Sequence, residues 1–224
     1  MAASAAATAA ASSLHRPLRA GALNLQHRVV LAPLTRLRAG EPQMAPRPMC
    51  VEYYRQRASG GLLISEATCI SPEALGYAHA PGIWTGDQVE AWRGVTSAVH
   101  AAGGHIFCQL WHVGRVAHPS FAQHPLRAAW AATHGQHNGC TYMPCVSAGP
   151  RAMLTKRGNP LMVQAYDGTL SPAGVPRELT TTDVERVVAD YAHAAACAKA
   201  SGFDGVELHA AHGYDDGTTR KTTY

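Results

Sequence analysis

No apolar run in the 224 residues reaches the roughly 18 that a membrane-crossing helix needs. Lysine and arginine are scattered, and the net charge of +4 has no clustered basic face behind it, which argues against a nucleic-acid partner. No C-x-x-C pair occurs among the six cysteines, which read as reduced, mostly buried thiols of an intracellular protein. No acid precedes Glu41. The Ala/Ser-rich start has alanine where a secretory signal carries leucines, and its composition is that of a transit peptide. A strand-like run begins at Arg28, however, so residues 1–27 are read as the disordered leader of a cytoplasmic protein. A plastid or peroxisomal address stays open.

What is present alternates. RVVLAPL (residues 28–34), LLISEATCI (62–70), HIFCQLWH (105–112) and GVELHAAH (205–212) are short apolar runs. Between them lie segments of helical period. Residues 49–59 stop at Gly60–Gly61, residues 87–102 take Asp87 as N-cap and Gly103 at the end, and residues 182–201 open with a Thr182–Glu185 capping box. Strands alternating with amphipathic helices imply βαβ units and a parallel sheet buried on both faces. Residues 118–180 break the rhythm, being rich in proline, glycine and histidine. They are expected to be irregular, with a partly foreign insertion, and residues 215–224 form a polar tail without period.

In such a sheet the reactive groups sit at the C-terminal ends of strands. Thr35, Ala67, Gln109 and His209 occupy that place in the four runs. Two metal readings compete with this one. HAAH (His209–His212) has i,i+3 spacing, whereas helical zinc hydrolases use i,i+4 with an intervening glutamate. His134, His137, Cys140 and Cys145 offer nitrogen and sulfur ligands, but their spacing is cramped for the usual two-knuckle zinc site.

VVLAPLTRLRA, GLLISEATCISPEALGYAHAPGIWT, AWRGVTSAVHAAGGHIFCQLWHVGR and GFDGVELHAAHGY, in this order, resemble the Old Yellow Enzyme family, and within it the plant 12-oxophytodienoate reductases. The resemblance runs over residues 28–214 and lapses over about 119–145. It implies a (β/α)8 TIM barrel, here represented by about four βα units. It also implies FMN as cofactor, NADPH as hydride donor and reduction of the C=C bond of α,β-unsaturated carbonyls, with a cyclopentenone oxylipin of jasmonate biosynthesis as the substrate suggested by the plant members. By the same resemblance Pro33, Leu34, Thr35, Ala67 and Gln109 contact the flavin. His209, Ala210, Ala211 and His212 bind the substrate, the two histidines donating to the enone oxygen, and Tyr214 donates the proton to the α-carbon.

A barrel needs eight such units, and phosphate is held in barrels of this kind after strands 7 and 8. The four units are therefore expected to bind FMN weakly, and a catalytically inactive remnant is the alternative to an active reductase. The free strand edges of a half-barrel favour pairing with another copy.

Overall fold

The computed structural model describes residues 12–134, 146–147, 154–155 and 157–212. In chain order the elements are β1 (Leu18–Ala20), β2 (Leu23–Leu25), β3 (Val30–Leu31), α1 (Pro48–Arg55), β4 (Leu62–Ile64), β5 (Thr68–Cys69), α2 (Gly86–Ala101) and β6 (Ile106–Trp111). They continue with α3 (Pro125–His134), β7 (Val146–Ser147), β8 (Met162–Gln164), β9 (Leu170–Pro172), β10 (Arg177–Glu178), α4 (Thr181–Ala200) and β11 (Gly205–Leu208).

The four apolar runs form one parallel sheet in the order β3–β4–β6–β11, and β5 also pairs with β6. The register sets Val30 beside Leu62, Leu63 beside Ile106 and Val206 beside Cys108. β6 is central and, apart from a half-exposed Phe107, buried along its length, as a strand covered on both faces must be. The helices cover one face. Trp92, Val95 and Val99 of α2 are fully buried at helical spacing, and the ring of Trp92 packs between Tyr54 of α1 and Phe203, with centroids 6.2 and 5.3 Å away. Exposed valines and leucines mark the two outer strands: Val29 and Val30 at one side, Val206 and Leu208 at the other.

Several expectations change in detail. The strand expected over 28–34 enters the ladder only at Val30–Leu31, since Pro33 has no N–H to donate. The strand expected over 62–69 is broken at residues 65–67: Ser65 N still donates to Phe107 O, but the N–H and carbonyl of Glu66 bond to the side chains of Tyr54, Ser65 and Thr68. α2 is capped by Thr85, not Asp87: its hydroxyl accepts from Gln88 N while the Gln88 amide oxygen accepts from Thr85 N. α4 likewise starts from Thr180 with Asp183, two residues before the Thr182–Glu185 box, because Asp183 also binds Arg177 at 2.8 Å. Residues 12–27, expected as a disordered leader, instead contain the antiparallel hairpin β1–β2, and Leu25 is buried. Within 118–180 the expectation of irregular chain gives way in part to α3 and the hairpin β8–β9, and Phe121 and Val163 join the core.

Candidate functional site

The C-terminal ends of parallel strands lie on one side of a sheet, and the predicted site residues lie there. Pro33, Leu34 and Thr35 follow β3; Thr35 and Leu34 are exposed and Pro33 is half-buried. Ala67, in the break between β4 and β5, is buried. Gln109 sits within β6 opposite Glu207 of β11, and its amide nitrogen donates to the Glu207 carboxylate at 2.7 Å. That bond fixes which end of the amide faces the neighbouring strand.

β11 delivers the histidine pair. The His209 amide donates to Leu110 O at 3.0 Å, which extends the ladder one step and holds His209 beside Trp111, on whose ring its imidazole stacks at 6.1 Å. His209 Nε2 and His212 Nδ1 lie 3.5 Å apart, at the long limit of a hydrogen bond. The chain reaches this geometry by placing His212 at φ 60, a left-handed conformation uncommon for a side chain of this size. The Ala211 amide points at His209 Nδ1 from 3.4 Å, while Ala210 and Ala211 themselves are exposed. Burial, and then the neighbouring His212, hold the His209 imidazole below its ordinary pKa, so it is neutral near pH 7 and retains one N–H to donate.

Two carboxylates that the sequence reading passed over support these groups. Glu207 orients Gln109. Glu66, 2% exposed, accepts from the amides of Arg36 and Leu37 at 2.8 and 3.2 Å, directly after Thr35. Burial pushes the Glu66 carboxyl up to about 7, against the opposing pull of those amides and of Arg36 and Arg38. It forms part of the lining of a cavity of about 160 Å3, together with Arg36, Arg38, Met49, Cys50 and Tyr53. An acid inside the otherwise apolar LLISEATCI was the available signal, because an ionisable group in such a strand needs partners.

The predicted proton donor, Tyr214, lies outside the described residues, as do His137, Cys140 and Cys145 of the zinc reading. Among the described residues no group of three or more His, Cys, Asp or Glu side chains could hold a metal ion. The donor set suits a flavin ring: a small buried Ala67, a hydroxyl at Thr35, an amide with both donor and acceptor at Gln109, and prolyl and leucyl surface at residues 33 and 34.

The chain is similar to known flavin-linked oxidoreductases. The chain is 44% identical over 199 residues to putative 12-oxophytodienoate reductase 11 of Oryza sativa, covering 88% of this chain and 47% of that protein. It is 43% identical over 205 residues to a flavin oxidoreductase of Emericella nidulans, covering 90% of this chain and 46% of that protein. The solved structure of the Old Yellow Enzyme homologue from Zymomonas mobilis superposes with a TM-score of 0.75 at 42% identity, over 91% of this chain and 50% of that one. Morphinone reductase superposes at 0.73 with 44% identity, over 90% and 49%. The chain thus spans about half the length of these relatives, and its sheet is the corresponding part of their TIM barrel. The family model of FMN-linked NADH:flavin oxidoreductases matches residues 13–215, and the chain belongs to the NADH:flavin oxidoreductase / NADH oxidase family.

Proposed function

We propose that the chain carries the flavin-ring and enone-oxygen part of an FMN-dependent, NADPH-linked reductase of α,β-unsaturated carbonyls. The observation that carries this reading is the pairing of His209 with His212 at the end of β11, beside Gln109 and Trp111. Pro33, Leu34, Thr35, Ala67 and Gln109 would hold FMN, which would supply the hydride chemistry linking the nicotinamide to the β-carbon of the enone. The residues do the rest. The ring nitrogens of His209 and His212 face one another at a distance where their mutual bond is weak. A carbonyl oxygen that accepts from both replaces one poor contact with two bonds, and these strengthen as negative charge builds on the oxygen. A hydrogen bond to the enone oxygen leaves the proton on the imidazole, so protonation of the α-carbon falls to a separate acid. Tyr214, two residues past the pair, is the group we assign to it. Thr35 would donate to the ring carbonyl, and Gln109, held by Glu207, would address the ring's pyrimidine edge.

Within this class a cyclopentenone oxylipin is the substrate we favour, on the similarity to putative 12-oxophytodienoate reductase 11 of rice and 12-oxophytodienoate reductase 2 of Arabidopsis thaliana, to which the chain is 44% and 43% identical. The test is an anaerobic experiment in two stages on the chain loaded with FMN, alone and mixed with the second half of the Zymomonas mobilis homologue. NADPH is expected to bleach the flavin absorbance of the complemented sample, and 2-cyclohexenone to restore it. Bleaching without recovery on enone addition overturns the assignment of the histidine pair.

A further inference from the structure

The loop after β3 begins with the residue predicted to touch the flavin, Thr35, and within two residues enters strained backbone. Leu37 sits at φ 53, where an L side chain crowds its own carbonyl. Such a conformation persists only where the surroundings over-determine it. Two side chains bond the backbone at this point: Arg38 Nη1 donates to the carbonyls of Arg36 and Leu37 at 3.0 and 3.1 Å, and a single oxygen of Glu66, Oε2, accepts from both Arg36 N and Leu37 N.

Glu66 is itself held on every side. Its amide donates to the Tyr54 hydroxyl at 2.8 Å, and its carbonyl accepts from Ser65 Oγ at 2.9 Å and Thr68 Oγ1 at 2.8 Å. Ser65 Oγ in turn accepts from Gln109 N at 3.0 Å. Tyr54, Ser65, Glu66 and Thr68 are all at most 2% exposed. One buried network therefore joins the loop of Thr35, the break that carries Ala67 and the strand that carries Gln109. These are the three segments whose relative placement decides how a planar ring is gripped.

We propose that Glu66 is a positioning residue, which clamps the amides of Arg36 and Leu37 and so presents Thr35 to the flavin ring. The clamp rests on the geometry alone; only the identity of what Thr35 meets rests on the reductase reading. The ionisable and charged groups facing Glu66 are Arg36 and Arg38 from the loop it bonds, Cys50, Tyr53 and Tyr54 from α1, and Cys69 from β5. A neutral amide could make the same two bonds, which lets substitution separate shape from charge.

The experiment is residue-resolved amide hydrogen exchange on the chain without added cofactor, for wild type, Glu66→Ala and Glu66→Gln. Removing bonds to a charged acceptor is expected to speed exchange at Arg36 and Leu37 about tenfold or more in Glu66→Ala. The β6 amides of Cys108 and Leu110 should hold their wild-type rates, and Glu66→Gln should restore protection at both loop amides. If Glu66→Ala does not fold, Glu66→Asp, which withdraws the carboxylate by one methylene, is read at the same two amides. Unchanged exchange there in a folded Glu66→Ala or Glu66→Asp variant overturns the proposal. FMN titration followed by flavin fluorescence then examines the ring contact: Glu66→Ala is expected to weaken binding about tenfold and Glu66→Gln to recover it. A wild-type chain that takes no FMN, alone or complemented, overturns the flavin reading while the amide rates still decide the clamp.

Discussion

Replacing Glu66 by glutamine should stabilise the protein at and above neutral pH, and progressively less as pH falls toward 4.5. The carboxyl has its pKa raised by burial from an ordinary 4.5 to about 7. A group raised in the folded state binds its proton more tightly there than in the unfolded chain. Its contribution is therefore fully favourable below pH 4.5, and it is lost as pH rises toward 7. Across that interval of about 2.5 pH units, at about 1.4 kcal/mol each, keeping the buried group ionised costs about 3.5 kcal/mol. Glutamine keeps an acceptor for the amides of Arg36 and Leu37 but brings an NH2 group that needs a partner, at a cost of about 1 kcal/mol or more. A net gain of about 2 kcal/mol at pH 8 is expected, shrinking to nothing or reversing near pH 4.5. Urea unfolding of both proteins at pH 4.5, 6 and 8, with m-values compared to confirm two-state behaviour, measures it. The comparison must be between the two proteins. His112, held by burial down at about 4 from an ordinary 6.5, acts with the opposite sign between pH 4.5 and 6.5 and masks the effect in wild type alone. A stability difference between the proteins that stays constant from pH 4.5 to 8 would refute the reasoning.

Four further outcomes are expected. In Glu66→Gln the contribution of His112 is unmasked: stability should fall by about 2 kcal/mol between pH 6.5 and 5, because a depressed histidine resists the proton that the unfolded chain accepts, and urea midpoints at the two pH values read it. His209→Ala or His212→Ala should slow recovery of the flavin absorbance by enone, each by about 2.7–4 kcal/mol in the barrier, with little effect on bleaching by NADPH in stopped-flow. Glu207→Gln leaves a hydrogen-bonding group beside Gln109 but removes the charge that orders its amide, and should weaken FMN binding by about 1 kcal/mol in a fluorescence titration. The apolar side chains on the outer strands should drive self-association, so Val206→Lys with Leu208→Lys should shift sedimentation toward monomer.

The frame of the fold was legible because burial on both faces writes itself into sequence as unbroken apolar runs, and all four runs are paired in parallel as read. The misread details have local causes. Threonine can cap from several adjacent positions, and Thr180 wins over Thr182 through the extra Arg177–Asp183 pair, which lies outside the four-residue capping pattern. The break at residues 65–67 is invisible to periodicity, because Ser65, Glu66 and Thr68 turn inward to bond backbone where a strand would continue. Of the candidate site, the strand-end positions Thr35, Ala67, Gln109 and His209 were readable from pattern. Their supports Glu66 and Glu207 were not, because what makes each informative is a partner 30 or 98 residues away.

The backbone itself distinguishes the two ends of the sheet. Among the described residues the side-chain-bearing positions with positive φ are Leu37, Met44, His79 and His212. The first two follow β3, the third follows β5 and the last follows β11, so all four lie in loops that leave the C-terminal ends of strands. The loops that enter the strands meet the same demand with glycine: Gly103 before β6 at φ 80 and Gly202 before β11 at φ 86. There the conformation is free of cost, and each glycine closes a helix in the ordinary way. At the other end Gly114 after β6 takes φ 59, but the chain also retains leucine, methionine and histidine in conformations disfavoured for L residues, and adds a carboxylate buried at the expense of stability. Unstrained choices at one end and strained ones at the other are the distribution expected when the second end is shaped by what it must hold. Barrel enzymes place their chemistry at that end, where Glu66 meets the loop of Thr35 and where His209 faces His212.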